Sequence, residues 1–360
     1  MEHRIGLPVG DYEQPGFEVQ DITDTRVWTH AEFGIDELHA AGVKGKGATV
    51  VIIDTGIEGA HSYLKGNFDA APSRSFTGEP LADGNGHGTH CAGIATGVIG
   101  IAPEARVIAL KGLSNQGSGA GSWLAAAIRY AADLPGHKIV SMSFGASGED
   151  PEISAAIRYA RSKGCWLFAA AGNDGPGSVN WPGALAEVVC VASTDKGGGV
   201  SSYSSANDAV DVGFGGRDIV SCYPGNRLAS LSGTSMATPG VAGVAALAVG
   251  ELVKAGKPIS SHDEMTKHLY ATCSDPGGRD IYTGYGLVRP AAFIKALVGE
   301  VTPPMPEPPK PPVGGGFSGT LTYRDGALVS VGKAAEAEGA EDVAKWVELV
   351  ARIIALLRGR

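Results

Sequence analysis

Residues 48–57 read ATVVIIDTGI, a short run rich in β-branched side chains that closes on Asp54 with Gly56 just behind it. Such a run fits a strand buried on both faces. Upstream, IDELHAA at 35–41 reads as a short helix stopped by Gly42, and residues 1–30, with Pro8 and Pro15, read as an extended lead-in. Downstream the pattern alternates. Strand RVIAL (106–110) precedes helix SWLAAAIRYAADL (122–134), and strand KIVSMS (138–143) precedes helix PEISAAIRYARS (151–162). CWLFAAA (165–171), EVVCVAS (187–193) and AVDVG (209–213) are further strand-like runs, ahead of a long helix near 234–253. This alternation predicts an α/β fold in three layers, a mainly parallel, doubly wound sheet with helices on both faces. In such sheets reactive groups collect at the carboxyl ends of the strands, where Asp54 stands.

Composition narrows the function classes. Glycine fills 54 of the 360 positions, about twice the usual ~7%. It has no G-x-y period, so it points to tight turns and closely approached backbone, not to collagen. A hydrophobic share of 43% excludes a disordered chain. A net charge of −9 without a basic stripe excludes nucleic acid as the main partner. No run of 18 apolar residues suggests a transmembrane segment. MEHRIGLPVGDYEQPG lacks the apolar core of a signal peptide, so a cytoplasmic location is expected. Cys91, Cys165, Cys190, Cys222 and Cys273 are odd in number and form no CxxC, which reads as free thiols in a reducing compartment.

The composition breaks after Val298. TPPMPEPPKPPVGGG (302–316) is a polyproline-type spacer ending in flexible glycine. TLTYRDGALVSV (320–331) carries a hairpin signal at Asp325-Gly326. In 340–357, Val343, Trp346, Val347, Val350, Ile353, Ile354 and Leu357 share one helical face. The expected organisation is an N-terminal extension (1–23), a main domain (24–298), a linker (299–316) and a small ββα module (317–360). The helix of that module either docks on its own chain or makes a homodimer or partner contact.

Three segments carry chemistry: VVIIDTGI (50–57) with Asp54, DGNGHGTHCAG (83–93) with His87, and SGTSMATPGVAG (232–243) with Ser235. Each alone has an ordinary reading. Asp after a strand is a turn residue, Ser before a helix an N-cap, and GHGTH a metal pair. No HExxH or second ligand cluster supports zinc, and Gly233–Ala237 is not G-x-S-x-G. Together, in the order Asp, His, Ser, the segments resemble the signature motifs of subtilisin-like serine proteases, the subtilases, over residues 24–298.

That resemblance implies a serine endopeptidase without a cofactor for its chemistry, acting on peptide or protein substrates. Ser235 would be the nucleophile, His87 the general base and acid, and Asp54 the group that orients His87. In FAAAGNDG (168–175), Asn173 matches the family's side-chain donor to the oxyanion, with Ala170 and Gly172 beside it. Gly117-Ser118-Gly119 and Ser143-Phe144-Gly145 match the segments that hold an extended peptide as an added strand. Asn180 falls at the base of the S1 pocket, where relatives often have glycine, and Asp174 at its rim. A shorter, more polar S1 follows. Gly121 replaces a frequent aromatic lid of S4, which implies a more open S4. Gly240 replaces a His that usually follows the Ser motif, and Cys91 lies one helical turn beyond His87.

Calcium is a structural expectation only. The short loop ATGVIGIAP (95–103) and Tyr63, in place of an Asp ligand, suggest that the family's strong site is missing. A weaker site would use Asp211 with the carbonyls of Ala186 and Val188. The short lead resembles that of intracellular subtilisins, so residues 1–20 are expected to occlude the cleft, with Pro8 resisting cleavage. Two alternatives to a general endopeptidase are a processing or transpeptidating enzyme for one precursor and an inactive peptide-binding relative.

Overall fold

The computed structural model describes residues 4–6 and 25–299, and the backbone of two strands at 321–324 and 327–331. The elements run in the order β1 (Arg4–Gly6), α1 (Trp28–Glu32), α2 (Ile35–Ala40), β2 (Thr49–Asp54), β3 (Arg74–Ser75) and α3 (His87–Ala95). Next come β4 (Arg106–Lys111), β5 (Ser118–Ala120), α4 (Gly121–Asp133), β6 (Ile139–Met142), α5 (Pro151–Ser162), β7 (Trp166–Ala170) and β8 (Val189–Thr194). The unit closes with β9 (Val212–Gly215), β10 (Ile219–Tyr223), β11 (Arg227–Leu231), α6 (Thr234–Lys254), α7 (His262–Thr272) and α8 (Pro290–Val298). A second compact unit begins at Pro304 and contains β12 (Leu321–Arg324) and β13 (Ala327–Val331).

Seven strands form one parallel sheet in the order β3-β4-β2-β6-β7-β8-β9. The predicted α/β fold is thus observed. The alternation of side chains along a strand explains why these runs are apolar throughout. Val50 and Ile52 of β2 enter one core, with residues of α2, α3 and α6, while Val51 and Ile53 enter the other, with residues of α4 and α5. Trp166 and Phe168 of β7 face the first core, Leu167 and Ala169 the second. The chain leaves β2 for β4 on one side and later returns to β6 on the other. That reversal opens a crevice at the carboxyl end of β2.

Local signals set several helix ends. Asp150 accepts the N–H groups of Glu152 and Ile153 and Pro151 takes the first helical position of α5, while Ser261 caps α7 through Glu264 N–H. By length and composition α6 passes for a membrane span, but it is buried within the domain as a core helix. Residues 28–30, at the end of the expected extended lead-in, belong to α1 instead. Its Trp28 Nε1–H donates to Arg217 O at 2.9 Å. Strand β9 starts at Val212, later than the AVDVG run suggested. In the second unit β12 and β13 pair antiparallel around Asp325-Gly326. The expected C-terminal helix and the linker lie outside the described residues.

Candidate active site

Asp54 is the last residue of β2 and His87 the first of α3. Gly88 is what lets them meet, since a Cβ there would sit 2.2 Å from the carbonyl oxygen of Gly56 and 3.1 Å from Asp54 Cβ. His87 Nδ1 lies 2.8 Å from Asp54 Oδ1 and 2.9 Å from Oδ2, with both side chains buried. Asp54 Oδ1 also accepts the Thr55 N–H at 2.7 Å.

Ser235 is the second residue of α6 and is fully buried. Its Oγ lies 3.5 Å from Ser143 O, and its own carbonyl accepts from Ser143 Oγ at 2.9 Å. Cys91 links this residue to the histidine, with Sγ 3.4 Å from Ser235 O and 3.8 Å from His87 Nδ1. Burial pushes the Cys91 thiol up to about 11, so it is a neutral S–H at physiological pH. The space that a side chain at position 240 would need is taken by Phe214, whose ring would lie 2.5 Å from a Cβ there.

Asn173 sits across the same helix start. Its Oδ1 accepts from Thr234 N and from Thr234 Oγ1, both at 2.9 Å, which fixes the carboxamide with Nδ2 as its donating end. Thr234 Oγ1 in turn accepts the Gly172 N–H at 3.2 Å. Ala170 ends β7 just ahead of this turn.

The two expected peptide-holding segments flank one strand of this chain. Arg4, Ile5 and Gly6 of β1 pair antiparallel with Ala120, Gly119 and Ser118 of β5. On the other side Gly6 N–H donates to Gly145 O at 3.2 Å, and Gly145 N–H to Gly6 O at 2.9 Å. Ile5 is buried in the core that contains Leu113, Leu124, Phe144 and Ile153. Gly117 precedes β5 in a turn with φ 74°.

Asn180 fills the space between the walls at Gly145 and Gly172. A Cβ on Gly145 would lie 2.9 Å from Asn180 Oδ1, and one on Gly172 would lie 1.9 Å from Nδ2. Nδ2 donates to Asp174 Oδ2 at 3.0 Å. At Gly121 there is no room for a side chain. The Asp150 carboxylate lies against that glycine, 2.1 Å from where a Cβ would stand.

One site residue was missed by motif reading although it opens its segment. The buried Asp83 carboxylate accepts five hydrogen bonds. Oδ1 takes Thr55 Oγ1–H (2.9 Å), Asn85 N–H (3.0 Å) and Gly86 N–H (2.8 Å). Oδ2 takes the N–H and hydroxyl of Thr89 (2.8 and 2.6 Å). It ties the turn after Asp54 to the start of the helix that bears His87.

Residues 45–286 match the Subtilase family. The chain belongs to the subtilase family. It is similar to Thermitase of Thermoactinomyces vulgaris, 43% identical over 211 residues that cover 57% of this chain and 75% of the relative. It is also similar to Subtilisin Savinase of Lederbergia lenta, 37% identical over 71% of this chain and 94% of the relative. M-protease of Shouchella clausii (strain KSM-K16) is 35% identical over 80% and 75% of the two chains. This subtilase is a subtilisin-like serine endopeptidase, as its three motifs led one to expect, and its chemistry requires no cofactor.

The weaker calcium site implied by the family was expected at Asp211, Ala186 and Val188, away from this crevice. Those oxygens do not fit a divalent cation. Asp211 Oδ2 accepts the Cys190 N–H at 2.9 Å, and Oδ1 faces Arg279 Nη2 at 3.3 Å. The carbonyl of Ala186 accepts from Arg161 Nη1 at 3.1 Å. Two guanidinium groups already hold two of the three expected ligands.

Proposed function

We propose that peptide hydrolysis runs through Asp54, His87 and Ser235. The observation that carries this reading is the two-oxygen contact of Asp54 with His87 Nδ1, beside the helix start that bears Ser235. Asp54 fixes the tautomer that leaves Nε2 as the base. His87 takes the Ser235 Oγ proton as Oγ bonds to the scissile carbonyl carbon, and the carbonyl oxygen becomes an oxyanion. Asn173 Nδ2 and the N–H groups at the positive end of α6 stabilise that charge. His87 then gives its proton to the leaving amine, and the acyl-enzyme forms as the C–N bond breaks. Water, deprotonated by His87, releases the acid and returns the proton to Ser235.

Substrate binds as a strand between Gly117–Gly119 and Ser143–Gly145, with main-chain hydrogen bonds supplying affinity. The position of β1 between these segments supports an occluding role for residues 1–20. Asn180 and Asp174 make the S1 floor shallow and polar, favouring small, polar or basic P1 residues over large aromatic ones. The five buried free thiols support a cytoplasmic location.

Replacing Ser235 with Ala tests the reading on a peptide series varied at P1. The wild type should cleave with that P1 preference, and S235A should lose roughly 10⁴-fold or more in kcat at unchanged melting temperature. Full activity in S235A would exclude Ser235 as the nucleophile.

A further inference from the structure

At Asp211 the chain carries its own cation. The carboxylate is largely buried between β8 and β9, where an uncompensated negative charge is costly. One nitrogen of Arg279, Nη2, sits among three oxygens: Asp208 O at 2.8 Å, Val210 O at 3.2 Å and Asp211 Oδ1 at 3.3 Å. Two main-chain carbonyls and a carboxylate oxygen are the donor set that a hard cation would draw on. The guanidinium is held from above as well, 5.4 Å from the Tyr285 ring centroid, and Tyr285 stacks on Tyr270 at 4.6 Å. Tyr285 N–H donates to Asp211 O at 2.8 Å.

We infer that the Arg279 guanidinium is the resident cation of the Asp211 site, so that this corner of the fold is stabilised by an arginine from the 274–286 loop and not by a bound metal ion. The consequence is structural. The loop that carries Arg279 also lays Gly286 and Val288 along β9, through Gly213 N–H to Gly286 O (3.0 Å) and Val288 N–H to Gly213 O (3.1 Å). The arginine therefore pins the last part of the domain to the sheet edge. It does so at constant stoichiometry, because its charge arrives with the chain and its affinity does not depend on free calcium.

The test is thermal unfolding of the full chain in excess EDTA and in millimolar calcium, for wild type, Arg279→Gln and Asp211→Asn, with calcium binding followed by titration calorimetry. Neither substitution touches the proposed catalytic residues, and unfolding is read independently of activity, so failure here is separate from failure of the protease reading. Wild type should show no calcium response that Asp211→Asn removes. R279Q should melt at least about 5 °C lower in EDTA and recover part of that loss in calcium, since the oxygens remain. If R279Q loses stability without recovery, the arginine is still the cation, and the oxygens alone are too few for a metal. If R279Q melts with the wild type in EDTA, or wild type binds calcium in a way that Asp211→Asn abolishes, the inference is overturned.

Discussion

Asp83 shows what a single carboxylate can do for a site that it does not enter. Its five acceptor contacts reach both the turn after Asp54 and the first turn of α3. Asparagine is the same size but presents an NH₂ to donors that need an acceptor, leaving buried N–H or O–H groups unpaired at about 1–3 kcal/mol. Asp83→Asn should therefore lower kcat by roughly ten- to a hundredfold through misalignment of His87 on Asp54, with KM changed by less than about threefold. Steady-state kinetics decide it: a change confined to KM would place Asp83 in substrate binding instead. Motif reading stopped at His87, because the role of Asp83 lies in contacts with main-chain N–H groups that no residue pattern displays. Asn180 was different. The side chain at 180 is visible in the sequence, and its carboxamide lies between Gly145 and Gly172.

At the level of elements, β1 is the informative one. Three residues bridge β5 on one side and Gly145 on the other, in the position proposed for a substrate strand. A tethered strand competes at an effective concentration in the millimolar range, enough to suppress turnover of weakly bound peptides. Deleting residues 1–20 should raise kcat/KM on a short peptide by about tenfold or more. Unchanged hydrolysis would show that β1 does not govern access. Strands β2, β4, β6, β7 and β8 were legible because burial on both faces imposes continuous β-branched and aromatic runs. The pairing of β1 could not be read from periodicity, which says nothing about a partner more than a hundred residues away; only the family resemblance suggested that the N-terminal segment would enter the cleft. Nor could α1 be read that way, its Trp28 being held by a carbonyl from residue 217. The Arg279 contact escaped for the same reason, as Asp211 finds it across 68 positions.

For the whole molecule, buried histidines set the acid limit. Burial holds His90 near 3 and His137 and His262 near 4, against an ordinary 6.5, with Lys138 adding to the shift at His137 and Arg161 at His262. Folded values lie below unfolded ones, so the unfolded chain binds protons first as pH falls. Stability should be flat from about pH 6.5 to 8 and decline between 6.5 and about 4, each histidine adding up to ~1.4 kcal/mol per pH unit. Urea unfolding at pH 8, 7, 6 and 5 checks the sign. A midpoint that stays constant from pH 7 to 5 would mean that these imidazoles are not buried as neutral groups.

The central claim is that Ser235 is a nucleophile activated by His87 on Asp54. An active-site-directed fluorophosphonate, applied to the chain with residues 1–20 removed and read by peptide mass spectrometry, addresses it most directly. The account predicts one adduct per molecule, on Ser235, formed quickly in the wild type and at least ~10³-fold more slowly in His87→Ala. A folded protein that takes no label at Ser235, or labels equally fast without His87, would contradict it.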